Sequence, residues 1–150
     1  MRLFICIVVC LAAAGLGSFF TTPALRPWYA RLNKPRWTPP NRLFGPVWTL
    51  LFLAMAVAAW LVWSKLGLTA ASLRLFMLQL FLNVGWSALF FRLRSPRWAF
   101  CEIVILWIAI LATLIGFWSA MPAAGWLLLP YLIWVSYAAA LNFSVWRRNI

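Results

Sequence analysis

The chain is 150 residues long and 67% apolar, with 12 Trp, 12 Phe and 13 Lys plus Arg set against a single acid, Glu102. A water-soluble fold carries roughly a quarter of its residues as charged side chains; here the share is 9%, which excludes a soluble domain and makes the bilayer the natural solvent. The net charge of +12 would suit nucleic acid, but these basic residues flank apolar runs, as membrane topology requires, so no nucleic-acid partner is expected.

Apolar runs of about 20 residues, the length of a transmembrane helix, cover 3–20, 44–63, 73–91, 98–118 and 126–146. They predict an all-α membrane protein: a single domain over 1–150, built as a bundle of five transmembrane helices. Strands of a membrane barrel would alternate polar and apolar residues, and no run does so. The first run follows Arg2 as "LFICIVVCLAAAG", which shares the basic start and small-residue end of a signal peptide; it is expected to be retained as a span. The next stretch, 21–43, carries Pro23, Pro27, Pro35, Pro39 and Pro40 with Trp28, Tyr29 and Trp37. So long a connection is usually functional, and its aromatics suit a lid over the bundle end. Pro46 is expected in the first turn of the second helix, and Ser95-Pro96 should cap and open the fourth. Pro130 should bend the fifth helix or mark its true start. No internal repeat supports an inverted-repeat transporter.

Charge sets the expected orientation. Arg26, Arg31, Lys34, Arg36 and Arg42 lie in or beside the first loop, Arg92, Arg94 and Arg97 in the third, and Arg147 and Arg148 at the C-terminus. Only Arg2, Lys65 and Arg74 fall on the other side. The positive-inside rule then places the C-terminus in the cytoplasm and the N-terminus outside, which favours a bacterial cytoplasmic membrane, with an outer membrane as the alternative.

Helical spacing puts Trp48 with Phe52 on one face of the second helix, Asn83 with Trp86 and Phe90 on the third, and Trp134 with Ala138 and Leu141 on the fifth. Packing and interfacial anchoring account for most tryptophans, and Trp28, Trp63, Trp118, Trp126 and Trp146 are assigned to the membrane interface. Trp48 and Trp134 sit inside their spans, where pocket and packing readings stand level. Glu102 invites a functional reading as an intramembrane acid, yet an ion pair with Arg92, Arg94 or Arg97, or a hydrogen bond, is the plainer account. Gln79, Asn83 and Asn142 read as interhelical hydrogen bonds before ligand contacts. Cys6, Cys10 and Cys101 read as buried packing residues. There is no catalytic triad, metal cluster or phosphate loop, so neither a conventional enzyme nor a metal or other cofactor is expected.

Three motifs, "LRPWYARLNKPRWTPPNRLFGPVWT", "LNVGWSALFF" and "ALNFSVWRRN", resemble in order and spacing the tryptophan-rich sensory protein / translocator protein family, over nearly the whole chain. The resemblance implies a five-helix bundle, commonly a homodimer, whose cavity opens toward the first loop and is closed by it. It implies hydrophobic ligands: porphyrins such as protoporphyrin IX and haem, sterols, and isoquinoline or benzodiazepine drugs. By motif position, Trp48 and Trp134 would be the porphyrin-contacting tryptophans, tied in some bacterial members to light-dependent porphyrin breakdown. Ala138 and Leu141 would line the fifth helix, and Trp98 would look in from the fourth. One departure is plain, because Phe143 and Ser144 stand where the animal sterol pattern has a Tyr, so a bacterial-type member is expected.

A flat macrocycle with propionates needs aromatic stacking surface in a dry cavity and cations at its rim. Trp37, Phe44 and Trp48 supply the first beside Lys34, Arg36 and Arg42. The expected function is a membrane receptor or sensor of tetrapyrroles and drug-like ligands, with Trp37, Phe44, Trp48, Phe52, Asn83, Trp86, Phe90, Trp98, Trp134, Ala138 and Leu141 as ligand contacts. A porphyrin transporter and a Trp-mediated photo-oxidative degrader are the alternatives. The small-residue pairs Ala13/Gly17, Ala14/Ser18 and Ala112/Gly116 suit either a dimer or close packing within the chain.

Overall fold

The computed structural model describes residues 1–150 and contains five long helices: α1 Arg2–Leu25, α2 Asn41–Leu66, α3 Ala71–Ser87, α4 Pro96–Ala120 and α5 Pro122–Arg148. The last turn of α3 continues as a wider π-helical segment, Ala88–Arg92, and a short 3₁₀ turn, Tyr29–Arg31, interrupts the first connection. All five helices are long and apolar enough to cross a membrane.

Helix ends follow local chemistry, and they correct several boundaries. The Ser95 hydroxyl accepts a hydrogen bond from the Trp98 N–H at 3.4 Å while Pro96 takes the first helical position, so α4 opens where the sequence placed it. Helix α2 opens at Asn41, directly after Pro39 and Pro40. Pro46 therefore lies inside the helix rather than in its first turn, and the Arg42 carbonyl loses its helical partner. Helix α5 opens at Pro122, with Met121 alone linking it to α4, so Pro130 also lies inside a helix and does not mark its start. This tight turn needs Gly125, where a Cβ would stand 2.5 Å from the Trp118 ring. Gly67, at φ 87°, ends α2 by donating its N–H to the Trp63 carbonyl. Helix α1 runs to Leu25, which shortens the first connection to 26–40.

The bundle closes as a ring in the order α1, α2, α5, α4, α3 and back to α1. Its interior is stacked from Phe52, Met55, Val62, Phe76, Ile103, Ile110, Phe117 and Val135. Because apolar burial earns little between helices surrounded by lipid, packing of small residues and interhelical hydrogen bonds hold such a bundle, and both are present. A Cβ on Gly116 would meet the Ser72 side chain at 3.0 Å, and one on Gly17 would meet Ser87 at 3.4 Å. The small-residue pairs of α1 and α4 thus have a use inside the chain, against α3. The Tyr131 hydroxyl donates to Gln79 Oε1 and accepts from Asn83 Nδ2, each at 2.7 Å. Asn142 accepts from Trp86 Nε1 at 2.9 Å and donates to the Pro96 carbonyl at 2.8 Å. On the outer side of α4 and α5, Trp107 Nε1 donates to Ser136 at 2.8 Å.

Two readings of single residues change. Glu102 has no ion pair and no hydrogen bond: both carboxyl oxygens are buried without a partner, and Oε1 faces the α3 backbone at Gly85. Arg92 at the end of the π-helical segment, Arg94 in the loop and Arg97 in the first turn of α4 are all exposed and do not pair with it. Cys101 is exposed rather than buried, while Cys6 and Cys10 are buried.

Candidate functional site

The first connection lies over the end of the bundle where α1, the π-helical turn and α5 finish and α2 and α4 begin. Tyr29 is buried there among Phe44, Phe90 and Phe91, and Trp28 packs edge-on to Phe90 with ring centroids 5.5 Å apart. Trp28 is half-buried against these rings at the bundle end. The π-helical turn makes this possible, since its wider winding brings consecutive Phe90 and Phe91 both inside. Lys34 Nζ donates to the Tyr29 carbonyl at 2.7 Å and stands 4.6 Å from the Tyr29 ring centre. Burial lowers the Lys34 pKa below the usual lysine range. Burial, with a smaller contribution from Tyr137, pushes the Tyr29 phenol up to about 12. Asn149 and Asn33 exchange a pair of hydrogen bonds, Asn33 N–H to Asn149 Oδ1 at 3.1 Å and Asn149 Nδ2 to the Asn33 carbonyl at 3.0 Å. The Tyr137 hydroxyl donates to the Trp37 carbonyl, and the two rings meet edge to face at 5.4 Å.

Directly beneath this connection is a small cavity of about 40 Å³. Phe44, Trp48, Trp86, Phe90, Trp134, Ala138 and Leu141 line it, joined by Tyr29, Pro39, Phe91, Tyr137 and Asn142. Trp48 and Trp134 meet in its wall, rings perpendicular at 88° with centroids 6.3 Å apart. Phe52 at 5.8 Å and Tyr131 at 6.3 Å back the Trp48 ring, and Tyr137 backs Trp134 at 5.8 Å. The Trp134 indole N–H is buried and has no hydrogen-bond partner.

Two larger spaces meet this cavity at its two tryptophans. On one side Trp48 also lines a cleft of about 470 Å³ between α1, α2 and α3, shared with Phe44, Phe52, Asn83 and Trp86. Its α1 wall carries the hydroxyls of Ser18, Thr21 and Thr22 among small apolar residues. On the other side Trp134 also lines an apolar groove of about 640 Å³ between α2 and α5, with Val47, Leu51, Leu129, Pro130 and Ile133.

The structure brings most of the sequence-derived residues to these connected spaces and leaves two outside. Trp98 is 60% exposed on the outer face of α4, with the Arg97 guanidinium 5.5 Å from its ring centre, and it lines none of the three spaces. This corrects its place among the cavity contacts: in the first turn of α4, Ala99 faces inward and Trp98 outward. Trp37 is 45% exposed and touches the site only through Tyr137. Tyr29, Tyr137, Phe91 and the α1 hydroxyls were missed. Tyr29 and Phe91 lie in the family motifs, but nothing in helical spacing shows which face of α1 meets the bundle. Asn83 does line the cleft, but its amide is committed to Tyr131.

A bundle of apolar helices around an aromatic cavity is a polytopic integral membrane protein. Comparison with known proteins carries the assignment further: the sequence profile of the TspO/MBR family matches residues 6–147, and the chain belongs to that family. It is 43% identical over 153 aligned residues to the tryptophan-rich protein TspO of Chlorobaculum tepidum, covering 99% of this chain and 96% of the relative. It is 40% identical over 126 residues to the human translocator protein, with 81% and 75% covered. To the tryptophan-rich sensory protein of Cereibacter sphaeroides it is 37% identical over 139 residues, with 91% and 87% covered.

Proposed function

We propose that this protein is a membrane receptor for tetrapyrroles such as protoporphyrin IX and haem, and for other flat hydrophobic ligands, with residues 26–40 as its lid. The supporting observation is the perpendicular Trp48/Trp134 pair in a small, aromatic-walled cavity. Two indole faces at right angles suit one ring stacked and one edge-on, and the unpartnered Trp134 N–H offers a polar handle to a ligand acceptor. This cavity is far smaller than the roughly 300–1,000 Å³ that small-molecule sites occupy, whereas the adjoining cleft of about 470 Å³ is of that size. A macrocycle is accommodated when the Trp48 partition shifts and the two become one. Exposed Arg26, Arg31, Arg36 and Arg42, on the first connection and the first turn of α2, are placed to meet propionates. Those cations also favour a cytoplasmic position for this end, in a cytoplasmic membrane. Any homodimer would use faces other than Gly17 and Gly116, which are occupied by α3.

Titration of detergent-purified protein with protoporphyrin IX in the dark, followed by tryptophan quenching, tests the reading. Saturable quenching that Trp48→Phe and Trp134→Phe weaken supports it, and its absence removes the tetrapyrrole assignment. Illumination of the complex separates the alternatives. Stable absorption bands fit a receptor, or a carrier that vesicle flux would reveal; bleaching that needs both tryptophans makes it a degrader.

A further inference from the structure

We infer that ligands reach the cavity sideways from the bilayer, through the seam between α2 and α5, with the Trp134 indole as the moving partition, rather than from water past the first connection. The inference rests on the ligand-binding reading above and adds the route. Pro39, Trp134 and Tyr137 line both the small cavity and the outward-facing groove, so these side chains stand between the ligand site and the groove.

Three features make the seam compliant. No side-chain hydrogen bond joins α2 to α5; the interhelical bonds run from α3 to α5, α4 to α5, and α2 to α3 or α4. Each helix carries an interior proline: Pro130 lines the groove one turn before Trp134 in α5, and Pro46 immediately precedes the groove residue Val47 in the α2 sequence. Each proline deletes one backbone hydrogen bond and allows local bending. The Trp134 N–H has no partner, so rotating the indole breaks no hydrogen bond. The first connection is the opposite case: the Asn33/Asn149 pair and the Tyr137 hydroxyl tie it to the C-terminal half of α5 and the residue that follows it, and Lys34 braces it internally through the Tyr29 carbonyl. A flat apolar ligand partitions into lipid before it meets the protein, and the groove is lined almost wholly by apolar side chains.

The test is association kinetics of protoporphyrin IX with the protein in lipid nanodiscs, read by the porphyrin's own fluorescence after rapid mixing. Ile133→Trp fills the groove without touching the small cavity, and Pro130→Ala restores the missing backbone bond. Each is expected to slow both association and dissociation, roughly tenfold for Ile133→Trp, at an affinity close to that of the parent. Asn149→Ala loosens the first connection and is expected to leave both rates unchanged. Faster association in Asn149→Ala with no effect of Ile133→Trp or Pro130→Ala would place the entrance at the first connection and overturn the inference. Slowing by Ser18→Phe but not by Ile133→Trp would move it to the α1 cleft and overturn it equally. Absence of saturable binding in the parent removes the ligand-binding reading and the route together, and that outcome is told apart by the equilibrium amplitude alone.

Discussion

The wall formed by α3, α4 and α5 and the wall formed by α1 and α2 meet the same lipid and are built differently. The first is stitched by Tyr131 to Gln79 and Asn83, by Asn142 to Trp86 and Pro96, and by Trp107 to Ser136. In the second, α1 makes no side-chain hydrogen bond to another helix, and α2 makes only a long contact from Gln79 to Met55 Sδ and a bond from Lys65 to the Ala120 carbonyl at the far end. The cleft and the groove both flank α2. Lipid gives helices no hydrophobic reason to associate, so a wall without polar ties is the wall that can part, and the tied wall is the frame it moves against.

The comparison can be broken by cutting the ties of the frame. Asn142→Leu should have the largest effect, because it strands the Trp86 N–H and the Pro96 carbonyl; a loss of about 2–4 kcal/mol in thermal unfolding in detergent is expected. A loss near zero would mean that the frame is held by packing alone. Tyr131→Phe leaves Asn83 and Gln79 to repair their own contact, so a smaller loss, about 1–3 kcal/mol, is expected from the same assay. Glu102→Leu sharpens the contrast in the opposite direction. Removing a carboxyl group that has no partner should leave stability unchanged or raise it by up to about 1 kcal/mol, whereas a clear loss would reveal a polar contact in the frame. On the other wall, Thr49→Val, whose hydroxyl bonds only to the Gly45 carbonyl of its own helix, should change stability by less than about 0.5 kcal/mol.

The first connection gives a subtler test through pH. The Tyr29 phenol titrates at about 12 in the fold against 10.0 when unperturbed. An acid whose folded pKa is raised contributes stability that is whole below its unfolded value and is lost as pH climbs toward the folded one. Protection of the first connection from proteolysis should therefore fall between pH 10 and 12, and Tyr29→Phe should flatten that fall. An unchanged slope in Tyr29→Phe would assign it to another group.

Much of this was legible in the chain itself. Five apolar runs and a near absence of acids dictated a five-helix membrane bundle, because only helices satisfy their own backbone in lipid. The Ser95-Pro96 cap and the shared face of Trp134, Ala138 and Leu141 on α5 were equally readable, since caps and 3.6-residue spacing are local properties, whereas Trp48 and Trp134 were singled out by the motifs of the resemblance and not by spacing. Tertiary structure decided the rest. Helical spacing says which residues share a face, but not which face turns inward, and so Trp98 points outward from the first turn of α4 while its neighbour Ala99 is buried. A lone acid in sequence invites a partner, and packing withheld one from Glu102. The polar stitching of one wall, the bare seam of the other and the two tryptophans that divide the spaces between them arise from side chains on different helices. Their juxtaposition depends on how the helices turn against one another, which no single stretch of sequence encodes.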